Sequence, residues 1–184
     1  RGVCKSPGNL HKSWQNTNVE ELFGKKTGLD VTVVNDADIA GYASMNYGTG
    51  KDMEGLVVMI TIGTGLGSGA FLDGKLIPNF ELGQIPYKEY KKIELWAAGS
   101  AKDREGLCYK KWGKRFNKFL KYVELIIAPD LIILGGGASK DFDEYKEGYG
   151  QTIITAYARI DGWNGGITPC DCAFFYCTKS TGRA

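Results

Sequence analysis

The sequence predicts an α/β fold, a mixed sheet with flanking helices, and three observations carry that expectation. Short β-branched or apolar runs that read as strands alternate with stretches whose apolar residues recur every three or four positions. An Asp-Gly pair, Asp73-Gly74, sits between two such runs as a hairpin signal, so part of the sheet is antiparallel. Glycine clusters follow strands, where open α/β sheets bind ligands.

Taken in order, residues 1–18 are rich in Gly, Pro, Asn and Ser and read as loop, and Val19 to Lys26 as a short helix ended by Thr27 and Gly28. Val31 to Val34 suits a buried strand. It stops at Asn35 and Asp36, which favour a turn or helix start, and a helix from about Ala37 to Tyr47 follows. Gly55 to Ile62 is a continuous apolar strand, Gly63 to Gly67 a glycine turn, and Gly69 to Leu72 a second strand that returns through Asp73-Gly74 to Lys75–Ile77. From about Arg104 to Ile127, the residues Trp112, Phe116, Phe119, Leu120, Val123, Ile126 and Ile127 recur as on one face of a long helix. Pro129 ends it, Leu131 to Leu134 is a short buried strand, and a further helix is expected after Ser139.

With 184 residues and 43% hydrophobic content, the chain can bury one core. Its 23 basic and 21 acidic residues give a net charge of +2, so no global field favours nucleic acid or a membrane surface, and any polyanion site must be local. The apolar runs are too short to cross a bilayer. Cys4, Cys108, Cys170, Cys172 and Cys177 are odd in number and dispersed, which argues against a secreted disulfide framework and for a reducing cytoplasm. Cys170, Cys172 and Cys177 lack the paired spacing of structural zinc sites and His11 is distant, so no metal site is expected of them.

The residues that could do chemistry lie at strand ends. Gly63, Gly65 and Gly67 lack side chains, so backbone N–H groups can approach an anion, and Thr64 adds a hydroxyl; an ordinary glycine hairpin has the same letters. Asp36, where a buried strand meets a helix, can take a proton from an alcohol while Asn35 hydrogen-bonds the same substrate; both residue types are also common helix caps. Glu81 and Gln84 flank a glycine, and glutamate can accept bonds from two sugar hydroxyls; a solvated loop would look similar. Gly135, Gly136 and Gly137 offer a second anion contact or a plain helix start. Lys110, Lys111, Lys114, Lys118 and Lys121 fall opposite the apolar stripe of the long helix, as a solvated face or as a track for polyphosphate.

In this order and spacing, VVNDADIAGYA, VVMITIGTGLGSGAFLDGKLIPNFELG and PDLIILGGGASK closely resemble the ROK family of sugar kinases and, within it, the polyphosphate glucokinases. The resemblance runs from about Val3 to Lys140. It implies an actin-like ATPase (ribonuclease H-like) fold whose cleft holds glucose and a phosphoryl donor, polyphosphate or ATP with Mg2+, for transfer to the sugar 6-hydroxyl. By resemblance Asp36 is the catalytic base, and Asn35, Glu81, Gln84 and Asn9 face the sugar. Gly63, Thr64, Gly65 and Gly67 form the second phosphate loop, and Gly135, Gly136 and Gly137 line the donor site. The family's first aspartate and glycine phosphate loop has no counterpart here, so an incomplete amino-terminal lobe is expected: residues 1–47 as its remnant, 48–150 as the carboxyl-terminal lobe, and 151–184 as an unassigned tail. Gln84 replaces the family's usual histidine, and the cysteine-rich zinc motif of many members is absent. Relatives often form dimers, so a homodimer is among the expected partners. The alternative is a non-catalytic sugar-binding module of the ROK repressor type, or an inactive remnant.

Overall fold

The computed structural model describes residues 2–7, 10–146, 154–157 and 175–178. The chain divides into two compact units, residues 1–36 with 167–184, and residues 37–166.

In the first unit, Val3 bridges Asn18 in antiparallel fashion, and a single 3-10 turn, Lys12–Trp14, interrupts the opening loop. Helix α1 (Val19–Thr27) starts where the Asn18 side chain accepts the Glu21 N–H at 3.1 Å. Glu20 and Glu21 lie in its first turn and Lys25 and Lys26 in its last, in line with the helix dipole, and Gly28 closes it in the left-handed region at φ 69°. Strand β1 (Asp30–Val33) pairs antiparallel with β7 (Phe175–Thr178), a strand in the stretch expected to be without assigned structure.

The second unit is built on a five-stranded sheet: β2 (Leu56–Ile62), β3 (Leu66–Leu72), β4 (Lys75–Ile77), β5 (Leu131–Gly135) and β6 (Ile154–Tyr157), in the order β4-β3-β2-β5-β6. β2–β3 and β3–β4 are antiparallel, and β2–β5 and β5–β6 are parallel. Asp73 and Gly74 both have positive φ, 49° and 75°, which fits the hairpin twist that an Asp-Gly pair favours. The sheet is mixed, as expected, and β6 extends it with residues that were expected to lie outside any assigned element.

Central β2 is buried on both faces. On one, Val58, Ile60 and Ile62 pack with Ile132 and Leu134 against Trp112, Phe116, Phe119, Leu120 and Val123 of α5 (Tyr109–Ile127). On the other, Val57 and Met59 meet Phe71, Leu131, Ile133 and Met45, the last from α2 (Asp36–Tyr47). Burying a Val, Leu, Ile or Phe side chain is worth roughly 1.5–3 kcal/mol, so these two faces hold the unit together.

The structure corrects four expectations. The long helix begins at Tyr109, not Arg104: short helices α3 (Glu94–Ala97) and α4 (Gly99–Arg104) precede it, and Gly106 at φ 59° breaks the chain between α4 and α5. Ile126 is 60% exposed and does not belong to the buried stripe. β3 begins at Leu66, so Gly67 is a strand residue and the turn shortens to Gly63–Gly65. The helix expected after Ser139 is a 3-10 turn, Gly137–Asp141, followed by the one-turn α6 (Phe142–Tyr145). α5 itself stops at Ala128, left-handed at φ 48°, because the residue before Pro129 is kept out of the helical region. Among the described residues no helix is long and apolar enough to cross a membrane.

Candidate active site

Sheet register brings the two glycine segments together. Thr61, near the end of β2, pairs with Gly67 of β3 on one side and Gly135 of β5 on the other, so both loops leave the same edge of the second unit. The Gly63 N–H bonds the Gly65 carbonyl at 3.1 Å and the Leu66 N–H bonds Glu94 Oε2 at 3.3 Å, which shapes the turn. A Cβ at Gly63 would meet nothing within 4 Å, so this residue faces open space. α4 closes the turn from the far side: the Ser100 hydroxyl donates to the Thr64 carbonyl at 2.5 Å, and a Cβ at Gly99 would stand 2.8 Å from the Gly63 oxygen. Gly136 has φ 81°, and a Cβ there would lie 2.6 Å from both N and O of Ile62, so only glycine crosses the end of β2 here.

These segments frame a cavity of ≈ 350 Å3 lined by Gly63, Thr64, Ser100, Lys102, Tyr109 and Gly137, with Asp103 and Asp141 also on its wall. Of the seven residues expected to bind phosphate, Gly63, Thr64 and Gly137 line it. An added Cβ would meet Glu94 at Gly65, Thr61 and Ala37 at Gly67, and Met59 at Gly135. Lys102 Nζ is 2.9 Å from Asp103 and 4.6 Å from the centre of the Tyr109 ring. The hydrogen bond to Asp103 holds Lys102 above its ordinary pKa, so it is a cation at neutral pH. Burial, then its hydrogen bond to Asp141 at 3.0 Å, raises Tyr109, which therefore stays a donor. One ammonium and bare backbone, with the carboxylates of Asp103 and Asp141 beside them, suit an oxygen-rich anion that arrives with a cation.

The Glu81 loop is held from beneath. Ser68, 2% exposed in β3, donates its hydroxyl to the Phe80 carbonyl and accepts the Leu82 N–H at 2.8 Å, clamping both neighbours of Glu81. Asp38, equally buried in α2, accepts the Asn79 N–H at 3.3 Å. Glu81 is exposed ahead of the 3-10 turn Leu82–Gln84, and Gln84 donates from Nε2 to Glu94 Oε1 at 3.3 Å. Glu94 therefore ties the Gln84 side chain to the Gly63–Gly65 turn, and Lys92 adds a 3.2 Å ion pair to it. Asn35 is half-buried ahead of α2, and Asp36 is the exposed first residue of that helix. Asn9 lies outside the described residues.

Sequence reasoning missed Glu94, Ser100, Lys102, Tyr109 and Asp141. The one local signal was Gly99-Ser100, a small polar pair between two helical stretches; the others carry no pattern.

The inorganic polyphosphate/ATP-glucomannokinase from Arthrobacter superposes with a TM-score of 0.78 at 40% identity, covering 83% of this chain and 60% of that one. A ROK family glucokinase from Streptomyces griseus, solved with glucose and AMPPNP, shares the fold with a TM-score of 0.63 at 20% identity, covering 78% of this chain and 67% of that one. The fold is that of the sugar kinases of the actin-like ATPase class. Residues 4–80 match the model of the ROK family. The chain is 43% identical over 145 residues to the polyphosphate glucokinase of Mycobacterium tuberculosis, 78% of this chain and 54% of that relative. It spans about half the length of the curated relatives it matches.

Proposed function

We propose that this chain forms the greater part of a catalytic unit that transfers a phosphoryl group from polyphosphate or ATP to the 6-hydroxyl of glucose. The observation that carries the proposal is the convergence of two glycine segments and Lys102 on one cavity, in a chain similar to polyphosphate glucokinases over most of its length. Phosphoryl transfer asks a protein chiefly for positioning and for charge stabilisation around the moving group. Thr64 supplies a donor and Lys102 a cation on the donor side, and Ser100 holds the turn through the Thr64 carbonyl. Asp36 accepts the proton of the sugar hydroxyl, and Asn35, Glu81, Gln84 and Asn9 orient the sugar. Gln84 engages Glu94, so it acts on the sugar as part of that pair.

Mg2+ would enter with the donor phosphates. Among the described residues no trio of His, Cys, Asp or Glu forms a metal cage. Mg2+ needs only one or two carboxylates beside phosphate oxygens and water, and Asp103 and Asp141 on the cavity wall fit that role. The ion would neutralise charge on the donor. Cys4 and Cys108 are free thiols, which suits a reducing cytoplasm.

The test is a coupled assay of glucose phosphorylation on the complete protein. Asp36→Asn should lower kcat by roughly 10²–10⁴-fold, the usual contribution of a general base, with glucose KM nearly unchanged. Full turnover in that variant would refute the assignment.

A further inference from the structure

The lysines of α5 are a large charged feature that the chemistry above leaves unused. Lys110, Lys114, Lys118 and Lys121 are spaced four, four and three residues apart, which makes them one row along the helix, opposite buried Trp112, Phe116, Phe119 and Val123. All four are exposed. Among the described residues none of them has an acidic partner, and the ion pairs of lysine fall elsewhere, at Lys25, Lys92, Lys102 and Lys146.

The row opposes the electrostatics of its own helix. Lys110 and Lys111 stand in the first turn, where the backbone dipoles already place positive charge; no acid offsets them there, and no base stands in the last turn. Like charges four residues apart also repel. A merely solvated face gains nothing from this order, and local rules are broken chiefly where a surface has a task.

Both ends of the row point to an anionic ligand. Tyr109, the residue before Lys110 at the start of α5, lines the donor cavity that holds Lys102. Farther along, Lys118 and Tyr122 line a second hollow of ≈ 440 Å3 with Tyr87 and Lys88. The row spans about 16 Å at the rise of an α-helix. Lys88 Nζ lies 5.5 Å from the Tyr87 ring centre and Lys118 Nζ 5.6 Å from that of Tyr122, so ammonium groups cap the aromatic faces on which nucleic-acid bases would stack. The ligand favoured is a chain of phosphates without bases.

Resting on the kinase reading above, we propose that the lysine row of α5 is a track for linear polyphosphate. It runs from the donor cavity to the hollow at Lys118 and holds the phosphates that are not being transferred.

The test measures binding, so it does not depend on turnover. The full chain is compared with a Lys110→Gln, Lys114→Gln, Lys118→Gln, Lys121→Gln variant and with a charge-matched control, Lys5→Gln, Lys12→Gln, Lys26→Gln, Lys75→Gln. Probes are long-chain polyphosphate, tripolyphosphate and a single-stranded oligonucleotide. The row variant should lose about tenfold or more in affinity for the long chain, and its salt dependence should become shallower by roughly one unit per phosphate contact removed. Tripolyphosphate, too short to leave the cavity, should bind unchanged, and the control should behave as wild type. The melting temperature of the row variant should not fall, since repulsion is relieved. Unchanged long-chain affinity in the row variant, or an equal loss in the control, overturns the proposal. Tighter binding of the oligonucleotide than of polyphosphate overturns it in favour of nucleic acid. A complete protein that phosphorylates no glucose would remove the kinase reading while leaving this comparison interpretable.

Discussion

Two serine-to-alanine substitutions in the second unit should change stability in opposite directions. Ser68 is 2% exposed and its hydroxyl makes two hydrogen bonds, to the Phe80 carbonyl and from the Leu82 N–H. Alanine there leaves a buried donor and a buried acceptor without partners. At about 1–3 kcal/mol for each orphaned group, less relaxation, the loss comes to about 2–4 kcal/mol. Ser44 is 4% exposed in α2, and its hydroxyl has no partner among the described residues. Alanine there removes an unsatisfied polar atom and is the better helix former, a gain of about 0.5–1 kcal/mol. Urea unfolding followed by tryptophan fluorescence should show the midpoint falling for Ser68→Ala and rising for Ser44→Ala, with equal slopes. In the complete protein, Ser68→Ala should also raise glucose KM more than it lowers kcat, because the two bonds flank Glu81. A Ser68→Ala variant within about 0.5 kcal/mol of wild type, the range of an ordinary surface change, would refute the reasoning. So would a destabilised Ser44→Ala.

Gly136→Ala places a Cβ 2.6 Å from the Ile62 backbone at φ 81°, and should cost about 1–3 kcal/mol or more in thermal unfolding together with donor affinity in a titration. Trp112→Phe removes an indole N–H that reaches the Ala97 and Ala98 carbonyls at 3.0 and 3.1 Å, and should destabilise by about 1–3 kcal/mol, read from denaturant midpoints. Arg115 donates to Glu105 at 2.6 Å and, with Arg104, holds that carboxyl below its ordinary value of 4.5. The unfolded chain then binds the proton more readily, so this contribution is present above that value and is lost as pH falls through the lowered one. Arg115→Met should flatten that acid limb of the stability curve, measured by urea unfolding across pH.

Legibility in the sequence followed locality. α1 could be bounded because Asn18 and Gly28 cap it through their own side chain and backbone, and the β3–β4 hairpin because Asp73-Gly74 sets its own turn. β2 read clearly because burial on both faces leaves an unbroken apolar run. The onset of α5 was misplaced because residues 104–108 suit a helix by composition, and only the backbone at Gly106 decides otherwise. β6 and β7 are four-residue strands whose place is set by distant partners, which no local pattern carries. On the site, the glycine segments announced themselves, but Lys102, Tyr109 and Asp141 join them only through tertiary packing. Glu94 looked like a lone acid beside Leu95 and Trp96, and two of its three partners, Gln84 and the Leu66 N–H, lie 10 and 28 residues away.

β5 is Leu-Ile-Ile-Leu-Gly, buried at every position, with β2 along one side and β6 along the other. Trimming the polypeptide anywhere before residue 154 would strip one flank of that strand and leave unpaired amides and carbonyls on a charge-free, proline-free ribbon, the kind of edge that recruits strands from other molecules. Shortened versions should therefore be recovered as aggregates, and a soluble expression boundary has to include the residues that cover it.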